Sequence, residues 1–150
     1  MKAVEINKTG APEVINLKDI SLEKPNSDEV TIEQKAIGLN YIDTYHRSGL
    51  YPLKLPSGLG LEGAGIIIEV GSNVTNFKAG DKVAYAAIPL GSYSTHRNFP
   101  AAKLVKIPDG VDFDIAATLM TKGLTTYYLL HQTYKVKKVK PFYFTQRQVV

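Results

Sequence analysis

The 150-residue chain has no cysteine, no tryptophan and only two methionines. Without cysteine there is no disulfide, no thiolate nucleophile and no zinc site with cysteine ligands. No run approaches the roughly 18 apolar residues of a membrane helix, so a helical spanning protein is excluded and no membrane partner is expected. The stretch Met1 to Gly10 lacks an apolar signal core, and the sequence therefore predicts a cytoplasmic protein rather than a secreted one. Net charge is small, +4, and it is unevenly placed. Residues 131–150 hold Lys135, Lys137, Lys138, Lys140 and Arg147 with no acid, and they account for the whole excess. A basic end can bind nucleic acid or anionic lipid, but charge alone is weak support, and a solvated tail is the simpler reading. No nucleic-acid partner is expected.

What is present reads as one globular domain by length and composition. Short strands are expected at residues 2–8 and 14–20, around the turn Thr9-Gly10-Ala11-Pro12. Residues 29–37 alternate, which would put Val30, Ile32, the stem of Gln34 and Ala36 on one face. Asn40 to Ser48 reads as one or two helical turns stopped by Gly49. Residues 51–61, rich in Pro and Gly, read as loop. Gly65 to Val70 reads as a buried strand, and Lys82–Ala87, Tyr93–Arg97 and Lys103–Ile107 as further strands. Asp112 to Tyr134 reads as helix, capped by Asp112 and broken near Lys122-Gly123. Many strands followed by late helix predict a mainly β, β-rich α+β, barrel-like domain with short helices and a C-terminal helical segment.

Several motifs carry less than they first suggest. Gly58-Leu59-Gly60-Leu61-Glu62-Gly63 matches G-x-G-x-x-G, with Asp81 near the spacing of a ribose-binding acid. That fingerprint needs a strand before it and a helix after it. Here Pro52 and Pro56 precede it and Ile66-Ile67-Ile68 follows, so the glycines read as a turn feeding a strand. His46, His96 and His131 are too far apart for a helical metal pair, and no metal is expected. Ser92 and Ser94 lack a nucleophile elbow. The group Asn40, Tyr41, Asp43, Tyr45, Arg47 and Tyr51 is more informative. Tyr41 and Tyr45 are i, i+4 neighbours, as are Asp43 and Arg47. Such tyrosines would suit a planar ring ligand, or would simply form a core stripe beside a surface ion pair.

A wider pattern resolves that choice. Lys35-Ala36-Ile37-Gly38-Leu39-Asn40-Tyr41-Ile42-Asp43-Thr44-Tyr45, then Arg47-Ser48-Gly49-Leu50-Tyr51-Pro52, resembles the quinone oxidoreductase, or zeta-crystallin-like, branch of the medium-chain dehydrogenase/reductase superfamily. So do Leu55-Pro56-Ser57-Gly58-Leu59-Gly60, Glu62-Gly63-Ala64-Gly65, Lys78-Ala79-Gly80-Asp81-Lys82-Val83 and Lys122-Gly123-Leu124-Thr125. The resemblance implies a GroES-like distorted β-barrel over residues 1–130. It also implies hydride transfer from NADPH to a quinone or other electrophilic carbonyl. Zinc-dependent relatives carry Cys where this chain has Asn40 and His where it has Leu61, so the zinc-free branch is implied. Without a metal, hydroxyl and amide donors must stabilise developing oxyanion charge, and Asn40, Tyr45 and Tyr51 are the candidates. The resemblance assigns cofactor contact to Tyr41, Ile42, Asp43, Thr44 and Tyr45, and to Tyr128.

The match fades after Lys137. There the family pattern continues into a Rossmann domain, whereas residues 131–150 read as a helix end and a divergent basic tail. A frameshift or early stop would produce such a sequence. The expectation is weak or absent NADPH binding and no turnover from these residues alone. Self-association through the helical segment is also expected, because Tyr127, Leu129 and Leu130 would leave an apolar patch. The alternative is a non-catalytic GroES-like barrel, either degenerate or an interaction module.

Overall fold

The computed structural model describes residues 1–134. From residue 135 onward the expected basic tail lies outside the described residues. Among the described residues eight strands form two sheets. A three-stranded sheet runs β2-β1-β4, with β1 at Lys2–Ile6, β2 at Asn16–Asp19 and β4 at Ser57–Gly58. A five-stranded sheet runs β7-β3-β5-β6-β8, with β3 at Glu29–Gly38, β5 at Glu62–Val70, β6 at Lys82–Ala86, β7 at His96–Pro100 and β8 at Val105–Lys106. All pairings are antiparallel. Helix α1 spans Tyr41–Ser48 and α2 spans Phe113–Tyr127. The architecture is the β-rich α+β barrel expected from the order of elements.

Two apolar clusters hold it. Val30, Ile32, Ile67, Phe77, Val83, Tyr85, Phe99 and Ala101 fill the barrel. Ala64, Ala84 and Ile107 on its outer side meet Ala116 and Ala117 of α2. Small residues at that second contact let the helix lie close to the sheet. Gly38 is the limiting case. A Cβ there would collide with the Ala117 carbonyl oxygen and with the Glu62 side chain.

The structure corrects several boundaries. Strand β7 starts at His96, not Tyr93, because residues 93–95 serve the other sheet. Val4 N–H donates to the Tyr93 carbonyl, and Thr95 N–H donates to the Lys2 carbonyl. Residues 12–14 form a 3-10 turn, so β2 is shorter than expected. Another 3-10 turn takes residues 101–103 and leaves β8 with two residues. Strand β5 is not buried throughout: Ile67 is fully covered, Ile66 half-buried and Ile68 exposed. In β3, Val30 and Ile32 share the core face, but the register slips between Gln34 and Ala36.

Helix α2 does not break at Lys122-Gly123. It continues to Tyr127, and the irregularity comes later, as a wide π turn over Tyr128–Thr133. Gly123 is tolerated inside the helix at the usual cost of about 1 kcal/mol relative to alanine. Asp112 occupies the N-cap position, but its side chain makes no capping hydrogen bond.

Candidate functional site

The site is built around the start of α1. Asn40 is extended and precedes the helix, and its N–H donates to Asp43 Oδ2 at 3.0 Å. That bond satisfies one of the backbone groups flanking a helix start. Gly49, left-handed at φ 87°, closes the helix eight residues later, a conformation that costs glycine little. The turn then brings Tyr51 back: its N–H donates to the Tyr45 carbonyl at 3.2 Å.

This geometry gathers the aromatic side chains. Tyr41 and Tyr45 meet edge to face, with ring centroids 5.2 Å apart. Tyr45 and Tyr51 lie 5.4 Å apart, and Tyr51 sits 5.8 Å from His46. The i, i+4 contact expected of Tyr41 and Tyr45 is present. Tyr41 and Tyr51 are exposed and offer flat faces to solvent.

The expected Asp43–Arg47 ion pair does not form. Asp43 is buried, and its Oδ2 accepts the Tyr93 hydroxyl at 2.8 Å as well as the Asn40 N–H. Arg47 instead donates from Nε to the Gly10 carbonyl at 3.2 Å. The acid is drawn inward because the buried start of the helix supplies better donors than a solvated guanidinium. Burial raises the Tyr93 phenol well above its ordinary value, and the bond to the Asp43 carboxylate, with its negative charge, raises it further.

Asn40 is also buried, and its amide joins two charged residues that sequence reasoning left out. Its Nδ2 donates to Glu62 Oε2 at 2.6 Å. Its Oδ1 accepts from Lys122 Nζ at 3.3 Å, and Lys122 also donates to the Leu39 carbonyl at 3.3 Å. Glu62 is fully buried at the start of β5, and its Oε1 accepts the Thr121 N–H of α2 at 2.7 Å. The one signal for Glu62 was an acidic residue opening an otherwise small and apolar strand.

The remaining assigned residues are placed unevenly. Thr44 commits its hydroxyl to the Tyr41 carbonyl at 2.7 Å, and Ile42 is half-buried. Tyr128 is exposed on the turn after α2, and no hydrogen bond or ring contact joins it to the α1 group among the described residues. Lys122, six residues earlier, does touch that group, so Tyr128 lies about 9 Å farther along the helical axis. No cluster of three His, Asp or Glu side chains suited to a metal occurs among the described residues. No helix there is long and apolar enough to cross a membrane. A cavity of about 390 Å³ lies elsewhere, lined by Lys18, Leu90, His96 and Arg97, and none of Asn40, Tyr45 or Tyr51 borders it.

Residues 26–109 match the model of the alcohol dehydrogenase GroES-like domain, and the chain belongs to that family. Within it the similarity is to quinone oxidoreductases, as the motifs implied. The quinone oxidoreductase of Pseudomonas aeruginosa is 54% identical over 137 residues, covering 91% of this chain and 42% of the relative. Quinone oxidoreductase 1 of Escherichia coli is 49% identical over 142 residues, covering 94% and 43%. The crystal structure of the Escherichia coli quinone oxidoreductase complexed with NADPH superposes with a TM-score of 0.89 at 48% identity, covering 91% of this chain and 42% of that one. The chain therefore spans less than half the length of these relatives.

Proposed function

We propose that this chain is the substrate-side domain of an NADPH-dependent, zinc-free quinone oxidoreductase, acting on a quinone or a related electrophilic carbonyl. The observation that carries the reading is the α1 group: a buried amide donor beside two contacting tyrosine pairs, on a barrel similar to a quinone oxidoreductase that binds NADPH. The residues suit a nicotinamide. The exposed ring of Tyr41, set edge-on to Tyr45, offers a flat apolar contact for another ring, and polar atoms lie beside it. NADPH, when bound, supplies the hydride.

The chain's own residues orient and stabilise. Tyr41, Ile42, Thr44, Tyr45 and Tyr128 would hold the cofactor. Asp43 would contribute through its backbone, since its carboxylate is committed inward. Asn40, Tyr45 and Tyr51 supply neutral donors for a carbonyl oxygen that gains negative charge, the role a metal takes in zinc-dependent relatives. By the family resemblance Asn40 and Leu61 stand where zinc-dependent relatives carry Cys and His, and neither side chain is a strong zinc ligand.

Residues 1–134 would form the barrel side of a cofactor cleft. We propose that alone they bind NADPH weakly and do not turn over, because affinity needs contacts along the whole ligand. Titration calorimetry of the 150-residue chain with NADPH tests this, and micromolar binding would refute it. A chimera tests the reductase reading itself. Residues 1–134 joined to the remaining portion of the Pseudomonas aeruginosa relative should oxidise NADPH in the presence of a quinone. A folded chimera that binds NADPH but reduces no quinone would sink the reading. The exposed apolar face late in α2 supports a further proposal, that the isolated chain self-associates.

A further inference from the structure

The amide of Asn40 is held between opposite charges from different parts of the chain. Glu62, fully buried on β5, meets its nitrogen at 2.6 Å, and Lys122 on α2 meets its oxygen at 3.3 Å. The two ends of an asparagine amide are nearly isosteric, and hydrogen-bond partners decide which is which. Here the partners are unambiguous. An ionised carboxylate only accepts, and an ammonium only donates. A flipped Asn40 would set oxygen against oxygen at Glu62 and nitrogen against nitrogen at Lys122.

We propose that Glu62 and Lys122 are positioning residues that fix and polarise the Asn40 amide. One Nδ2 hydrogen is spent on Glu62, and the other is the single donor of that amide not committed to the protein among the described residues. Lys122 at the amide oxygen draws electron density away from the nitrogen and strengthens its hydrogens as donors, while Glu62 holds one of them and thereby fixes the direction in which the other is offered. This rests on the reductase reading, in which Asn40 donates to a carbonyl oxygen. It adds two residues from outside α1 and explains why a fully buried carboxylate stands beside an uncharged donor. It also makes the site depend on α2, since Thr121 N–H and Lys122 both reach it from that helix.

The test is the side-chain amide spectrum of Asn40 in the ¹⁵N-labelled 150-residue chain, without NADPH or quinone. The wild type should show one Nδ2 proton displaced downfield by the short bond to Glu62. Glu62→Gln should abolish the displacement and populate the flipped amide. Lys122→Met should reduce it although Lys122 does not touch the nitrogen, and Lys122→Arg should restore it. A side-chain packing role alone would give no rescue that follows charge. A folded Lys122→Met with an unchanged Asn40 pair would overturn the proposal. If Glu62→Gln does not fold, the exposed Lys122 variants decide the matter alone. Failure here would leave the chimera's quinone reduction unaffected, and failure of the chimera would leave this spectrum unchanged.

Discussion

The Tyr93 hydroxyl donates to Asp43 Oδ2 at 2.8 Å, tying the approach to β7 to the first turn of α1. Asp43 accepts the Asn40 N–H on the same oxygen, so Tyr93 fixes the site through one intermediate. Burial and the neighbouring carboxylate both keep the phenol protonated above its ordinary range. In the unfolded chain tyrosine ionises near pH 10. Above that pH the folded state therefore holds a proton that the unfolded state has lost, and stability falls as pH rises. This contribution is complete below about pH 10 and is lost above it. Tyr93→Phe should cost about 1–3 kcal/mol at neutral pH, because it removes one of the two hydrogen bonds to the buried Asp43 Oδ2. It should also flatten the alkaline fall relative to wild type. Urea unfolding between about pH 8 and about pH 11 measures both, and an unchanged alkaline slope would contradict the assignment.

Gly38 sets how closely α2 approaches the barrel. Its missing Cβ leaves room for the Ala117 carbonyl and the Glu62 side chain. The obstacle is partly backbone, so a flexible side chain cannot simply move aside. Gly38→Ala should destabilise the domain by about 1–3 kcal/mol, as overpacking does. It should also disturb the Glu62–Asn40 bond. Urea midpoints measure the first effect and the Asn40 amide spectrum the second. A neutral midpoint would show that α2 is free to shift.

Tyr45 is proposed as a hydroxyl donor and as a ring that packs against two others. Tyr45→Phe separates the roles, since the ring contacts with Tyr41 and Tyr51 survive. In the chimera this variant should lower kcat/KM for a quinone about tenfold, or ~1.4 kcal/mol, while leaving NADPH affinity unchanged. A loss of NADPH affinity with kcat intact would move the Tyr45 hydroxyl from the substrate to the cofactor, which its ring is already proposed to hold.

The barrel was legible because its strands alternate and its turns carry glycine and proline. The i, i+4 logic found the Tyr41–Tyr45 contact. The same logic failed for Asp43 and Arg47, because spacing records which side chains are neighbours but not which offers the better partner. Asp43 turned to Tyr93, fifty residues away in sequence. Glu62 and Lys122 were invisible as site residues for the same reason. Their partner is Asn40, and the contact exists only once β5 and α2 have packed together. The helix break placed at Gly123 came from propensity. Packing of the preceding residues Ala116 and Ala117 against the sheet outweighed it.

The end of α2 carries the last prediction. Leu124, Tyr127 and Tyr128 are each more than half exposed. Their i, i+3, i+4 spacing puts them on one helix face. Leu129 is exposed as well, while Leu130 is half-buried, so the patch lies slightly earlier than expected from sequence. Contiguous apolar surface of this kind favours association, because joining two copies removes it from water. Sedimentation velocity of the 150-residue chain should show an average mass that rises with concentration above the 16.5 kDa monomer. Replacing both Leu124 and Tyr127 with lysine should return it to the monomer without changing the unfolding free energy measured in urea by more than about 0.5 kcal/mol, since neither side chain is buried. A wild-type chain that stays monomeric at all concentrations would rule out association through this face.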